Sequence, residues 1–401
     1  MASETALTFG VEVEFMLTIN ENHGSSKIYE AVADVFRRNL ADPLPCACIN
    51  RKWSKYRGEA YRYPDGQPLA QKDWKSYYCF SGDSSVVANP KQRAQLEAEE
   101  KIAVGLEVST RALDFDKQGC PEFKAAVTAI RDGGSPLDVN IADELRPTPT
   151  QTAALHVHIG LRSRLDLDTA KKAAVLGWLL EPNLFSLCGP DRGMASHAPI
   201  RKESVLAKTK FDIAESNPPD DDSEDSVGDE KEATILESCH PINIPKKFSA
   251  IEKKWISTIL GARDMDELAK LLSSAHTNLN ARLALAIYNR EDDHSTIEFR
   301  HFQSTMDYDL AWSWIRITAA IVQLASKPAS EYNEKLDLIA GEYRAMRTRW
   351  IEHLRDRLFG RETTDPWLKS WQPMLVMLDL EDDLPFWHNY IAQLPERNRT
   401  T

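Results

Sequence analysis

The stretch Leu7–Ile19, LTFGVEVEFMLTI, carries two patterns at once. Phe9, Val11, Val13 and Phe15 recur at every second position, the period of a half-buried β-strand. Successive side chains on a strand point to opposite faces, so Glu12 and Glu14 share the face turned away from those apolar residues. Two carboxylates held this close repel each other unless a proton or a cation lies between them. One strand therefore predicts a sheet with an apolar side for helices and an acidic side for chemistry.

Working outward, strand-like alternation recurs at Trp74–Val87 (broken at Ser81-Gly82-Asp83), Ile102–Leu113, Ala153–Leu161, Ala281–Tyr288 and Ser295–Phe302. Helical spacing runs through Lys27–Leu40, Glu122–Ile130, Asp166–Leu187, Asp309–Leu324, Glu331–Leu358 and Trp367–Leu394, the last with a break near Pro385. Strands scattered from residue 7 to residue 302, with a helix-rich remainder on one face, predict an α+β fold rather than an alternating α/β one. The aromatic segment from Trp53 to Gly66 reads as turn-rich packing.

The formal charge of −12 argues against a nucleic-acid-binding surface, so no nucleic-acid partner is expected. That charge is uneven. Between Asp212 and Glu232 ten acidic residues face one Lys, a net −9 that leaves about −3 for the rest of the chain. With Asn217-Pro218-Pro219 inside it, this stretch is a disordered insertion by composition, bounded at 212–234. Cys46 and Cys48 form a lone C-x-C, a poor metal site without further ligands. No run of about 18 apolar residues and no basic-then-apolar leader is present, so the sequence predicts no membrane partner and a cytoplasmic protein.

Four short motifs carry the chemistry: Glu12-Val13-Glu14, Gly105-Leu106-Glu107, His156-Val157-His158 and Glu298-Phe299-Arg300. Each sits on a predicted strand and sends its polar residues to one side and its apolar partner to the other. Strands carrying them side by side would form a wall of carboxylate oxygens and imidazole nitrogens, a ligand set for Mg²⁺ or Mn²⁺. Arg300, on the same side as Glu298, could hold a phosphoryl group with a bidentate contact. Bland alternatives exist for each motif. The glutamates could be a solvated strand face, the histidines part of a cupin-like site, and Glu298/Arg300 a surface ion pair worth little. Their joint presence on separate strands is harder to reach by accident.

In order, F-G-V-E-V-E-F (9–15), S-G-D-S-S-V (81–86), V-G-L-E-V-S (104–109), A-L-H-V-H-I-G (154–160) and S-T-I-E-F-R-H-F-Q-S-T-M-D (295–307) resemble the amidoligase family. That family belongs to the carboxylate–amine ligase superfamily with glutamine synthetase, and the acidic insertion and divergent spacers are similar to its fungal branch. The resemblance implies a largely antiparallel, glutamine-synthetase-like catalytic sheet with helices packed on one face. It implies metal ligation by Glu12, Glu14, Glu107, His156 and Glu298. His158 is implied to meet ATP phosphate, Arg300 to stabilise the transferring phosphoryl group, and Arg201 to help hold the nucleotide. Asp83 and Ser85 align with a family D-G-S strand whose glycine is Ser84 here.

The expected protein is an ATP- and Mg²⁺- (or Mn²⁺-) dependent ligase that joins small-molecule or peptide carboxylate and amine substrates through an acyl phosphate. A metal-dependent amide hydrolase and a non-catalytic scaffold are the alternatives. The expected division is a catalytic domain over 1–327 and a helical extension over 328–401.

Overall fold

A computed structural model of the chain describes residues 6–20, 25–39, 45–49, 61–62, 67–132, 148, 150, 152–189, 192, 199–210, 241–276, 282–289, 295–359, 361 and 369–394. The acidic insertion at 212–234 and most of the aromatic segment 53–66 lie outside the described residues. The chain divides into two compact units, Met1–Arg164 with Arg290–Ala319, and Leu165–Asn289 with Ala320–Thr401. In this division the helices that follow residue 164 group with the C-terminal ones.

The first unit is built on a mixed, mostly antiparallel sheet of β1 (Leu7–Asn20), β2 (Cys46–Ile49), β3 (Tyr61–Arg62), β4 (Tyr78–Gly82), β5 (Lys101–Ser109), β6 (Leu113–Asp114), β7 (Ala154–Leu161) and β9 (Thr296–Gln303). Its order is β3-β2-β4-β5-β1-β7-β9, with β6 paired to β1 near Thr8 and Phe9. Every pair is antiparallel except β2 with β4. The strand that opened the sequence is thus the middle of the sheet, flanked by β5 and β7. The expected α+β class holds.

The apolar side of β1 is covered as its alternation requires. Phe9, Val11, Val13 and Phe15 are each 1% exposed. Phe9 meets Phe123 of helix α3 (Pro121–Arg131) and Trp312 of helix α9 (Tyr308–Ala325) edge-on, at ring-centroid distances of 5.9 and 5.5 Å. Helix α1 (Ser25–Asn39) brings Phe36 against Tyr78 and Phe80 of β4. Each such ring contributes roughly 1.5–3 kcal/mol by burial. Between Val157 and Leu155 the register of β7 against β9 slips by one residue, a bulge that places two residues of β9, Arg300 and His301, opposite His156. The slip returns Phe302 to the helix side, where it stacks on Trp314 at 4.9 Å.

On the other side of the sheet a smaller apolar cluster of Met16, Val86, Ala88 and Ala153 closes one end. It forms because the turn after β4 crosses over β5 at Gly105. There, Asp83 N–H donates to the Gly105 carbonyl at 3.0 Å. A Cβ at residue 105 would lie 2.1 Å from the Asp83 carbonyl oxygen and 2.6 Å from that of Val86. Helix α2 (Pro90–Ala98) follows, opened by a reciprocal cap between Asn89 and Gln92.

The second unit centres on α4 (Leu167–Ser186), started by Asp166, whose side chain accepts from Thr169 N–H at 2.8 Å. Around α4 are α5 (Ile200–Glu203), α6 (Val205–Lys208), α7 (Ala250–Leu260), α8 (Met265–Leu272), strand β8 (Leu285–Tyr288), α10 (Ala329–Leu358), α11 (Trp371–Met377) and α12 (Leu384–Gln393). Trp178 of α4 packs on Trp255 of α7 at 5.4 Å, and Gly177 leaves room for Leu285 of β8. The C-terminal helical stretch breaks at 378–383, with Asp379 at φ 56°. Pro385 starts the next helix, where a missing N–H is harmless, rather than kinking one.

Replacing Gly105 by Ala should lower the unfolding free energy by about 1–3 kcal/mol, since backbone rather than a flexible side chain must give way. Gly10 is the control: a Cβ there meets nothing nearer than Thr110 Oγ1 at 3.9 Å, so Gly10→Ala should be tolerated. Denaturant titration of both variants checks this; equal stabilities would refute the crossing-turn account.

Candidate metal centre

Strand register decides which polar groups meet. Glu12 of β1 faces His156 of β7 and Ser109 of β5, while Glu14 faces Glu107 of β5. One strand further on each side, His158 faces Glu298 of β9 and Glu107 faces Ser81 of β4. Alternation then puts Glu12, Glu14, Glu107, His156, His158 and Glu298 on one side of the sheet, opposite the aromatic layer.

Their atoms form two adjoining groups. Glu12, His156 and Glu298 offer ligand atoms that all lie within 4.8 Å of one another, and so do Glu14, Asp83 and Glu107. His156 joins the two. Its Nδ1 is 2.9 Å from Glu12 Oε2, and its Nε2 is 3.3 Å from Glu14 Oε1. His158 Nε2 lies 3.3 Å from Glu12 Oε1 and 3.8 Å from Glu298 Oε1. Arg300 Nη1 is 2.5 Å from Glu298 Oε1 and 3.2 Å from His156 Nδ1. Glu298 is fully buried, and Glu14 and His156 are 2% and 1% exposed.

Neighbouring groups fix these side chains. Ala154 N–H donates to Glu14 Oε2 at 2.8 Å, and the Ser304 hydroxyl donates to the Glu14 carbonyl. Ser109 donates to Glu107 Oε1 at 2.9 Å, and Thr296 Oγ1 lies 3.1 Å from His158 Nδ1. Asp83 accepts from Ser85 N–H at 2.7 Å, a turn that holds its carboxylate beside the sheet.

Five carboxyl groups and one guanidinium in so dry a place set the protonation pattern. Burial, and next the charge of Asp83, push the Glu14 carboxyl up to about 8, against the opposing Ala154 N–H. Burial and the charges of Glu12 and Glu14 hold Glu107 well above the usual carboxylate range. Burial raises Glu12 as well, but His158 and His156 together outweigh it and hold this carboxyl well below the usual range. Burial keeps the His156 imidazole below its ordinary value, with the Glu12 hydrogen bond opposing. With its equilibrium near 8, Glu14 keeps a proton at neutral pH, and Glu107 is shifted in the same direction, while Glu12 is shifted toward its ionised form and His156 toward its neutral one. Protons occupy the site in the role a cation would play. The donor set fits a hard divalent cation: one group combines two carboxylates with an imidazole and the other is all oxygen.

Six of the expected site residues and Arg300 thus converge in the first unit. Arg201 is not among them: it belongs to the second unit. Its backbone N–H donates to Glu181 Oε2 at 3.0 Å, and its guanidinium donates to the Tyr343 hydroxyl and lies 5.1 Å from that ring. Asp83, Ser109 and Thr296 complete the centre beyond the sequence-derived ligand set. Ser109 and Thr296 lie two residues from Glu107 and Glu298, so the alternation that found the glutamates also points to them. Asp83 sits in a turn, where alternation gives no direction. Compared with models of known protein families and with curated proteins, the chain matches none.

The metal-free protein should lose stability as pH rises from about 7 to 8. Glu14 ionises near 8 when folded against 4.5 for the free group, so in that window the folded state binds more protons. Glu107 has the same sign. Glu12 and His156 have the opposite sign, but their contributions level off once pH passes the ordinary values of 4.5 and 6.5 at which the unfolded groups titrate, below this window. Glu181 in the second unit, raised to about 7 by burial, adds a slope of the same sign up to that pH. Thermal unfolding in chelator should show the decline, Mn²⁺ should reverse it, and Glu14→Gln should flatten it; a wild-type slope unchanged in Glu14→Gln refutes the assignment to Glu14.

Proposed function

We propose that the chain is an ATP- and Mg²⁺- (or Mn²⁺-) dependent carboxylate–amine ligase on a glutamine-synthetase-like sheet. The observation that carries this reading is the pair of adjoining donor groups, Glu12/His156/Glu298 and Glu14/Asp83/Glu107, joined through His156 and bordered by Arg300. Two hard-cation sites beside a guanidinium suit a polyphosphate better than a simple carbonyl substrate. The ordered family-like motifs at 9–15, 81–86, 104–109, 154–160 and 295–307 support the same conclusion.

In this reading Glu12, His156 and Glu298 hold one cation, and Glu14, Glu107 and Asp83 hold the other. When bound, the cations supply charge neutralisation for the nucleotide phosphates. The chain's own task is alignment. The acid substrate's carboxylate oxygen attacks the γ-phosphorus of ATP, the bond to ADP breaks, and an acyl phosphate forms. An amine then adds to the acyl carbon, and inorganic phosphate leaves with formation of the amide. Arg300 meets the equatorial phosphoryl oxygens, where charge accumulates during transfer. His158, its Nδ1 against Thr296, points Nε2 toward the same region and contacts phosphate.

A metal-dependent amide hydrolase could use the same donors but would have no use for nucleotide. The deciding experiment incubates the full chain with ATP, Mg²⁺ and pooled amino acids and peptides. It follows phosphate release and, by mass, a condensation product. Glu298→Gln and Glu14→Gln should each lower kcat/KM by about 10²–10³-fold, the usual effect of losing one fixed electrostatic contact. ATP-independent amide cleavage, or undiminished turnover in both variants, would overturn the ligase reading.

A further inference from the structure

Arg300 occupies a telling position. Its Nη1 contacts Glu298 Oε1, and that oxygen also faces both imidazoles, at 3.8 Å from His156 Nδ1 and 3.8 Å from His158 Nε2. The same guanidinium nitrogen is 3.2 Å from His156 Nδ1. It therefore lies against two of the three members of the Glu12/His156/Glu298 group.

We infer that Arg300 is the resident counter-cation of this group. It gives up the place when a divalent cation binds, and only then becomes available to phosphate. The inference rests on the metal centre proposed above and adds an order of events to it. A fully buried carboxylate such as Glu298 is stable only with charged or hydrogen-bonding partners, and the guanidinium is the charged one in direct contact with Oε1. A divalent ion bound through Glu298 Oε1 would meet Nη1 at the same oxygen, and two positive charges at that range in a dry site exclude each other. The Arg300 side chain keeps 16% exposure, so its head can turn outward on its flexible stem, whereas Glu298 has no such freedom. Metal entry thus exchanges one cation for another and hands a freed guanidinium to the incoming phosphate. Nucleotide bound before the metal would find Arg300 engaged.

The test uses the full chain and Mn²⁺ alone, read by calorimetry or by the spin signal of free Mn²⁺. Arg300→Met should bind Mn²⁺ about tenfold or more tightly than wild type, because the competing cation is gone. Arg300→Lys should fall between them. Unchanged or weaker Mn²⁺ binding in Arg300→Met overturns the inference. A second measurement needs no variant: phenylglyoxal labelling of wild-type Arg300, followed by mass spectrometry, should accelerate when Mn²⁺ is added without nucleotide. A rate that stays the same or falls overturns the inference as well. Failure here is separable from failure of the ligase reading. Mn²⁺ binding with the expected Arg300 effects but no amide product removes the ligase alone. Amide synthesis with an Arg300-independent Mn²⁺ affinity removes the exchange alone.

Discussion

Like-charge repulsion on one side of a sheet is the constraint from which the rest of the first unit follows. Strand alternation and antiparallel register leave Glu12, Glu14, Glu107 and Glu298 no choice of side, and the turn at Asp83 adds a fifth carboxyl. Such a set cannot be fully ionised in a dry place. The folded chain resolves the conflict in three ways at once. Glu12 keeps its charge against two imidazoles, Glu298 against Arg300, and Glu14 keeps a proton, with Glu107 shifted the same way. In the proposed reading each of these stands in for a cation and yields to one reversibly.

The reversibility comes from how the groups are held. Their backbone anchors are strands with fixed register, while the charges themselves sit on side chains fixed by a few hydrogen bonds, from Ala154, Ser109 and Thr296. A preorganised donor set of this kind has already met the entropic cost of assembling its ligands during folding. Residues from Glu12 to Arg300 share it, so it exists only in the folded state, and any cation bound there would add to the stability of that state.

Much of this was legible in the sequence because it is written in periods. Period-two alternation located β1, β5, β7 and β9, and it assigned Glu12, Glu14, Glu107, His156, His158, Glu298 and Arg300 to one side before any register was known. Two things resist such a reading. A turn has no period, so Asp83 is placed by Gly105, whose missing Cβ lets the 83–86 backbone cross the sheet. A bulge breaks the period, so beyond Arg300 alternation alone would turn Phe302 away from Trp314, which it stacks on. The partition into units was equally hidden, because α4 is apolar nearly all round and pattern cannot say which partners bury it. Arg201 meets Tyr343, more than a hundred residues along the chain, a contact that no local spacing could reveal.

The two sides of β1 finally explain each other. A cluster that raises the protonation equilibria of Glu14 and Glu107 this far works against folding at neutral pH, so the metal-free sheet carries a standing penalty. The same strand offsets it residue by residue. Phe9, Val11, Val13 and Phe15 interleave with Glu12 and Glu14 and are all buried, Phe9 against Phe123 and Trp312. The aromatic layer is therefore more than a generic core. It lies on the opposite face of the strand that carries Glu12 and Glu14, so apolar burial and the cost of holding those carboxyls meet in one element. That coupling ties the candidate site to the centre of the sheet, where β1 is flanked by β5 and β7.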